Sequence, residues 1–347
     1  MSFDSRLQSV WYGSSWRSLP LWPLSLLYRA VVAARAGLRR TGVLETLHVT
    51  VPVVVVGNLT VGGTGKTPVA AWLAHQLQLR GRRVGVVLRG YGGSHRGAPR
   101  VVTGADLAAE TGDEAVLHAR RGAHVVVIGA DRVAAARLAQ AEGAEVIVCD
   151  DGLQHTRLAR DCEIAVVDGA RGLGNGWLLP AGPLREPRKR LDSVHAVVIT
   201  DREGQLQPMR GLSGPLQVGA RFTPGTAVNL QSGERRSLAD LRQAPELHAV
   251  AGIGHPAAFF AGLRSAGLNP RCVALADHAA LDPTALPFPV DATVLMTEKD
   301  AVKCTQFARP GWWWVELEVS FDRGDAAVLL ATVLERTGLT GAGVNLG

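Results

Sequence analysis

Val51-Pro52-Val53-Val54-Val55-Val56-Gly57-Asn58-Leu59-Thr60-Val61-Gly62-Gly63-Thr64-Gly65-Lys66-Thr67 decides the fold of this chain. A continuous β-branched run predicts a strand buried on both faces of a parallel sheet. It leads into a glycine-rich loop ending in Gly-Lys-Thr, the layout of a phosphate-binding P-loop. Gly62, Gly63 and Gly65 let backbone N–H groups converge on phosphate oxygens without Cβ clashes. Lys66 can reach the terminal phosphates, and the Thr67 hydroxyl can ligate Mg²⁺. A helix over 66–79 would aim its positive end at the anion. Pro68 fits the first turn, where a missing N–H costs nothing. In the common pattern a glycine would stand where this chain has Thr60. The plainer alternative is a tight strand-to-helix turn with no ligand.

Downstream, short apolar runs alternate with helical stretches. Strands are expected at Val51–Val56, Val84–Leu88, Val125–Ile128, Val146–Cys149, Ile164–Val167 and Ala196–Thr200. Helices are expected at Lys66–Leu79, Asp113–Arg121 and Arg132–Ala141. This alternation predicts an α/β fold: a P-loop NTPase-type, mostly parallel sheet with flanking helices. Its ligands bind at the carboxyl ends of the strands. The segments read as 1–44, basic and amphipathic; 45–200, the P-loop domain; 201–245, a linker with short strands near Leu216–Arg221 and Ala227–Leu230; 246–325, a smaller α/β domain; and 326–347, a terminal helix and tail. Residues 169–192 interrupt the alternation, and a loop that long inside a compact domain points to function.

The 347 residues allow two domains, and 47% hydrophobic with 20% charged residues describes a folded protein. Four widely spaced cysteines, Cys149, Cys162, Cys272 and Cys304, exclude a zinc ribbon and suit a reducing compartment. The net charge is +6, yet residues 1–44 hold six arginines against one acid, Asp4. So local an excess argues against nucleic acid as a partner. The same segment carries Trp11, Trp16, Trp22 and several leucines. Its uncharged stretch, Ser18 to Tyr28, is too short to cross a bilayer. Tryptophan, leucine and arginine together suit a helix lying on an anionic membrane, with a core-packing helix as the alternative. Deleting residues 1–40 is then expected to weaken membrane association more than nucleotide binding.

Several strand ends carry chemistry. Asp150 and Asp151 close an apolar run, where a P-loop enzyme holds its Mg²⁺. Gln154 and His155 follow. Asp113 opens a helix and is either a capping acid or the base that phosphoryl transfer to a hydroxyl needs. Arg89 and Arg132 lie at the same sheet edge and suit phosphate clamping or surface ion pairs. Asp277-His278 and Thr297-Glu298-Lys299-Asp300 follow strands of the second domain. The latter is not the N-K-x-D signature of a guanine-specific switch.

As a set, these segments resemble the tetraacyldisaccharide 4′-kinase (lipid A 4′-kinase) family. The resemblance runs through Gly57-Asn58-Leu59-Thr60 with the loop that follows, Arg89-Gly90-Tyr91-Gly92, Gly112-Asp113-Glu114, Asp150-Asp151-Gly152-Leu153-Gln154-His155, Leu179-Pro180-Ala181-Gly182-Pro183-Leu184-Arg185-Glu186 and Asp277-His278. Thr60 is normal there. The resemblance implies transfer of the ATP γ-phosphate to the 4′-hydroxyl of a tetraacylated glucosamine disaccharide 1-phosphate, a step of lipid A biosynthesis. It implies ATP held by Thr60, Val61, Gly62, Gly63, Thr64, Gly65, Lys66 and Thr67, with Arg132 and Arg185 as further ligands. Mg²⁺ would lie by Thr67, Asp150, Asp151, Gln154 and Glu186. Asp113 would be the base, with His278 as its partner and Lys66 also catalytic. The substrate would be a membrane-embedded glycolipid met at the cytoplasmic face of the inner membrane, with no obligate protein partner evident. The alternative reading is a P-loop ATPase or GTPase switch of the partitioning or metal-insertion type. Many such switches carry a lysine where this chain has Val61.

Overall fold

The computed structural model describes residues 3–13, 15–201, 209, 211–212, 214–244, 246–276 and 288–339. Two compact units emerge, each assembled from separated stretches of chain. The first comprises Met1–Arg82, Glu145–Ala220 and Phe321–Gly347; the second comprises Arg83–Ala144 and Arg221–Ser320.

In the first unit four parallel strands lie in the order Ala196–Asp201, Cys162–Asp168, Val53–Gly57, Val146–Asp150. Every residue of the four is buried, as continuous β-branched runs require. The P-loop strand starts at Val53 rather than Val51. Pro52 has no N–H to give to a ladder, and the Val53 N–H donates to Asp161 Oδ2 at 2.7 Å. Helix Lys66–Gln78 packs on strands Val53–Gly57 and Val146–Asp150 through Val69, Leu73 and Leu77. Helix Arg323–Thr337 packs on Val53–Gly57 and Cys162–Asp168.

The N-terminal segment forms helix Phe3–Tyr12, a short 3-10 turn Ser15–Leu21 and helix Trp22–Arg40. Two of its tryptophans do not face outward as the interfacial reading expected. Trp11 is buried and its Nε1 donates to Pro180 O at 2.9 Å. Trp22 stacks on Trp177 with ring centroids 4.5 Å apart. Ser25 Oγ donates to Leu178 O at 2.8 Å, and Tyr28 OH donates to Arg185 O at 3.1 Å. Indole and hydroxyl groups find partners here because the 175–185 segment, poor in regular structure, offers carbonyls that no ladder uses.

The second unit contains two strand groups. Val84–Leu88 and Val125–Ile128 run parallel, with Arg100–Val102 antiparallel at the edge. Arg271–Ala274, Leu247–Ala251, Thr293–Thr297 and Trp312–Phe321 run parallel in that order. The expected pair of short strands near 216–230 is one strand, Leu216–Asn229. Its burial alternates along its first half. Helix Glu298–Cys304 was not foreseen. Thr297 caps it, its Oγ1 accepting from Asp300 N at 3.1 Å, and Glu298 and Asp300 fill its acidic first turn.

Candidate active site

In the first unit the loop after strand Val53–Gly57 is braced from inside. Gly57 admits Leu153, whose Cγ would lie 2.8 Å from any added Cβ. Asn58 is fully buried; its Nδ2 donates to Thr64 Oγ1 at 3.0 Å and to Gly62 O at 3.4 Å. Thr200 Oγ1 donates to Thr64 O at 3.1 Å. Gly62 and Gly65 take φ of 107° and 91°, a region costly for side-chain-bearing residues. Gly65 caps helix Lys66–Gln78 without a side chain, so no capping side chain competes with an anion for the first-turn N–H groups.

The long 169–192 segment supplies the outer wall. Val61 N donates to Pro183 O at 2.9 Å and Arg185 N to Leu59 O at 2.6 Å, with Thr60 bridging antiparallel to Leu184. Arg185 is thereby fixed at the loop. Its Nη1 lies 3.1 and 3.2 Å from the two Asp151 oxygens and 3.2 Å from Gln154 Oε1. Lys66 Nζ is 3.8 Å from Asp151 Oδ1. Gln154 Nε2 donates back to Asn58 O at 2.9 Å. Asp151 adopts φ of 54°. Asp150, in register with Val56, is 1% exposed at the end of the adjacent strand.

Glu186 follows Arg185 and lies 3.2 Å from Arg190 Nε. Burial pushes its carboxyl above the usual range, Arg190 opposes this, and Glu163 reinforces it. Glu163 behaves oppositely. Burial raises it, but hydrogen bonds and charge from Arg190 and Arg160 outweigh burial and hold it below the usual range.

The Thr67 hydroxyl, the Asp150, Asp151 and Glu186 carboxylates and the Gln154 carbonyl are hard oxygen donors. Among the described residues no three His, Cys, Asp or Glu side chains form a cage for a metal. That combination suits Mg²⁺, which keeps much of its shell for water and phosphate and takes one or two carboxylates.

Asp113 belongs to the second unit. It opens helix Asp113–Arg120 and is 4% exposed, its Oδ1 accepting from Glu114 N at 2.9 Å. Gly112 precedes it at φ of 89°, and a Cβ there would meet Tyr91 O at 2.6 Å. A Cβ on Gly93 would meet Gly112 N at 2.7 Å. The Arg89-Gly90-Tyr91-Gly92 turn thus seats the start of this helix backbone to backbone. Lys299 and Lys303, to which the sequence reading gave no role, each place Nζ 3.9 Å from Asp113 Oδ2. Their charge offsets the cost of burying a carboxylate. A cleft of about 640 Å³ in this unit is lined by Asp113, Lys303, Arg120, Leu107 and Phe307.

Arg132 also belongs to the second unit; it is 3% exposed and its Nη1 donates to Gly129 O at 2.5 Å. His278 lies outside the described residues. The structure therefore joins Thr60 to Thr67 with Asp151, Gln154 and Arg185 in one network. The clue to Lys299 and Lys303 was available: a Thr cap followed by lysines at i and i+4 puts both on one helix face.

Comparison with known proteins identifies the family. The family described as tetraacyldisaccharide-1-P 4′-kinase (LpxK) matches residues 17–335. A tetraacyldisaccharide 4′-kinase from Pseudomonas paraeruginosa is 46% identical over 319 residues, covering 92% of this chain and 94% of that protein. The crystal structure of an "apo" form of LpxK from Aquifex aeolicus in complex with ATP superposes with a TM-score of 0.78 at 28% identity, covering 92% of this chain and 99% of the other. With its P-loop, its strand-end acids and these likenesses over nearly the whole length, the chain belongs to the tetraacyldisaccharide-1-phosphate 4′-kinase family.

Proposed function

We propose that this kinase divides its chemistry between a phosphate cradle and a buried base. The 4′-hydroxyl of the tetraacylated disaccharide 1-phosphate attacks the γ-phosphorus of ATP. Its O–H bond breaks and the proton passes to Asp113. A new O–P bond forms as the bond to the β-phosphate oxygen breaks, leaving ADP. The backbone of residues 60–67 and Lys66 hold the phosphates. Thr67 and Asp150 would hold Mg²⁺, with Asp151, Gln154 and Glu186 beside it. A Mg²⁺ held there would supply neutralisation of the phosphate charge during transfer. Asp151 orients Lys66 and Arg185 toward the nucleotide. Arg132 as a phosphate ligand and His278 as the partner of Asp113 complete the proposal. The observation that carries it is the closure of the 60–67 loop by Pro183 and Arg185, which sets the Arg185 guanidinium beside the Lys66 ammonium at the cradle.

The substrate's acyl chains place the reaction at a lipid surface. Among the described residues no helix is long and apolar enough to cross a membrane. Helix Trp22–Arg40 exposes Leu24, Leu26, Leu27, Val31 and Leu38 beside Arg29, Arg35 and Arg40, the make-up of an interfacial helix. We assign this face to the cytoplasmic side of the inner membrane. The test is transfer of labelled γ-phosphate from Mg-ATP to detergent-dispersed tetraacyl disaccharide 1-phosphate. Label on the lipid that vanishes in Lys66→Ala supports the proposal. ATP hydrolysis without lipid labelling would refute it and restore the switch reading.

A further inference from the structure

Helix Glu298–Cys304 carries Lys299 and Lys303 four residues apart, hence on one face. Each ammonium lies between two carboxylates. Lys299 Nζ is 3.0 Å from Glu114 Oε1 and 3.9 Å from Asp113 Oδ2. Lys303 Nζ is 3.2 Å from Asp300 Oδ1 and 3.9 Å from Asp113 Oδ2. Asp300 is completely buried and immobilised from two sides. Its Oδ2 accepts from Thr297 Oγ1 at 2.6 Å and from Gly252 N at 3.0 Å. A chain of fixed charges therefore runs from the ends of strands Leu247–Ala251 and Thr293–Thr297, through Asp300 and Lys303, to Asp113. Lys303 and Asp113 also line the same cleft.

We infer that Lys303 is a positioning residue for Asp113, anchoring its ionised carboxylate to the rigid Asp300 center so that it meets the acceptor hydroxyl in one orientation. The inference rests on Asp113 being the base. Three other charged groups on the packed elements are engaged elsewhere. Glu298 pairs with Arg121, Glu110 lies 3.4 Å from Arg100, and Arg120 donates to Gly104 O and Thr305 Oγ1. Lys299 also reaches Asp113, but it is tied to Glu114 on Asp113's own helix rather than to a separate anchor.

The experiment is steady-state kinetics of the full chain with Mg-ATP and the dispersed glycolipid, for Lys303→Met, Lys303→Gln, Lys303→Arg, Asp113→Asn and the Asp113→Asn/Lys303→Met double variant. A loosened base is expected to cost about tenfold to a hundredfold in kcat in Lys303→Met, with KM for both substrates near the parent value. Without the cation the charged carboxylate is less favoured, so the acid limb of the kcat profile moves to higher pH. Lys303→Arg restores most of kcat, and the double variant is no slower than Asp113→Asn. Parental kcat and acid limb in Lys303→Met, with Asp113→Asn inactive, overturn the positioning role alone. Parental turnover in Asp113→Asn overturns the base assignment and this inference with it. Equal losses in all three Lys303 variants, tracking a fall in Tm, make the residue structural and also overturn it.

Discussion

Replacing Trp11 with alanine tests whether the N-terminal segment supports the phosphate cradle. The side chain is 8% exposed, and it donates to Pro180 O at 2.9 Å while its own carbonyl accepts from Asn175 N at 2.9 Å. Removing a buried tryptophan side chain costs about 3–5 kcal/mol. The lost hydrogen bond adds less than about 1 kcal/mol, because Pro180 is half-buried and water can reach its carbonyl. At about 1.4 kcal/mol per factor of ten, a loss of 3 kcal/mol multiplies the undocked population of the 175–185 segment by about 150. That segment closes the P-loop through Pro183 O and Arg185 N, so the Kd for Mg-ATP rises with it. Hydrogen exchange by mass spectrometry over 175–185, with a nucleotide titration, reads both effects. Leu27→Ser is the control: Leu27 is 64% exposed, and its loss is expected to weaken vesicle binding alone. Unchanged exchange and unchanged Kd in Trp11→Ala would refute the reasoning. On this view deletion of residues 1–40 weakens membrane association and nucleotide binding together, contrary to the expectation from sequence.

Gly57→Ala forces a Cβ to within 2.8 Å of Leu153 Cγ; we expect a loss of about 1–3 kcal/mol, measured by denaturant unfolding. Glu163→Gln tests linkage. The Glu163 carboxyl lies below its unfolded value, so its stabilisation is complete above the ordinary carboxylate range and is lost as pH falls through the folded value. The Tm gap between variant and parent is therefore widest near neutrality and closes in acid; a gap constant with pH contradicts this. Burial pushes the Cys162 and Cys304 thiols up to about 12, and Cys149 is also buried. Alkylation of the native protein at mildly alkaline pH is expected to label Cys272 first, read by peptide mass.

Local pattern carried most of what positions the cradle. The Val53–Gly57 strand, the glycine turn and the following helix were legible because burial on two faces, positive φ and helix-start chemistry each demand a narrow set of residues at adjacent positions. Asp150 and Asp151 were legible for the same reason, as acids ending an apolar run. Trp11 and Tyr28 were not legible as parts of a site, Asn58 was legible only as a motif residue without a role, and Lys303 only as one of two lysines on a shared helix face. Their roles depend on partners as far as 190 positions away, and nothing in the local composition names those distant partners.

By itself, then, the amino-acid order determined the sheet type, the phosphate loop, the strand-end acids and the kinase family, because each is written in contiguous residues with a fixed period or motif. Tertiary structure alone decided that Trp11 and Trp22 brace a loop, that Arg185 closes the cradle on Asp151, and that two lysines flank Asp113. Those pairings depend on which carbonyls and carboxylates packing leaves without a ladder partner, and that is known only once the chain has closed on itself.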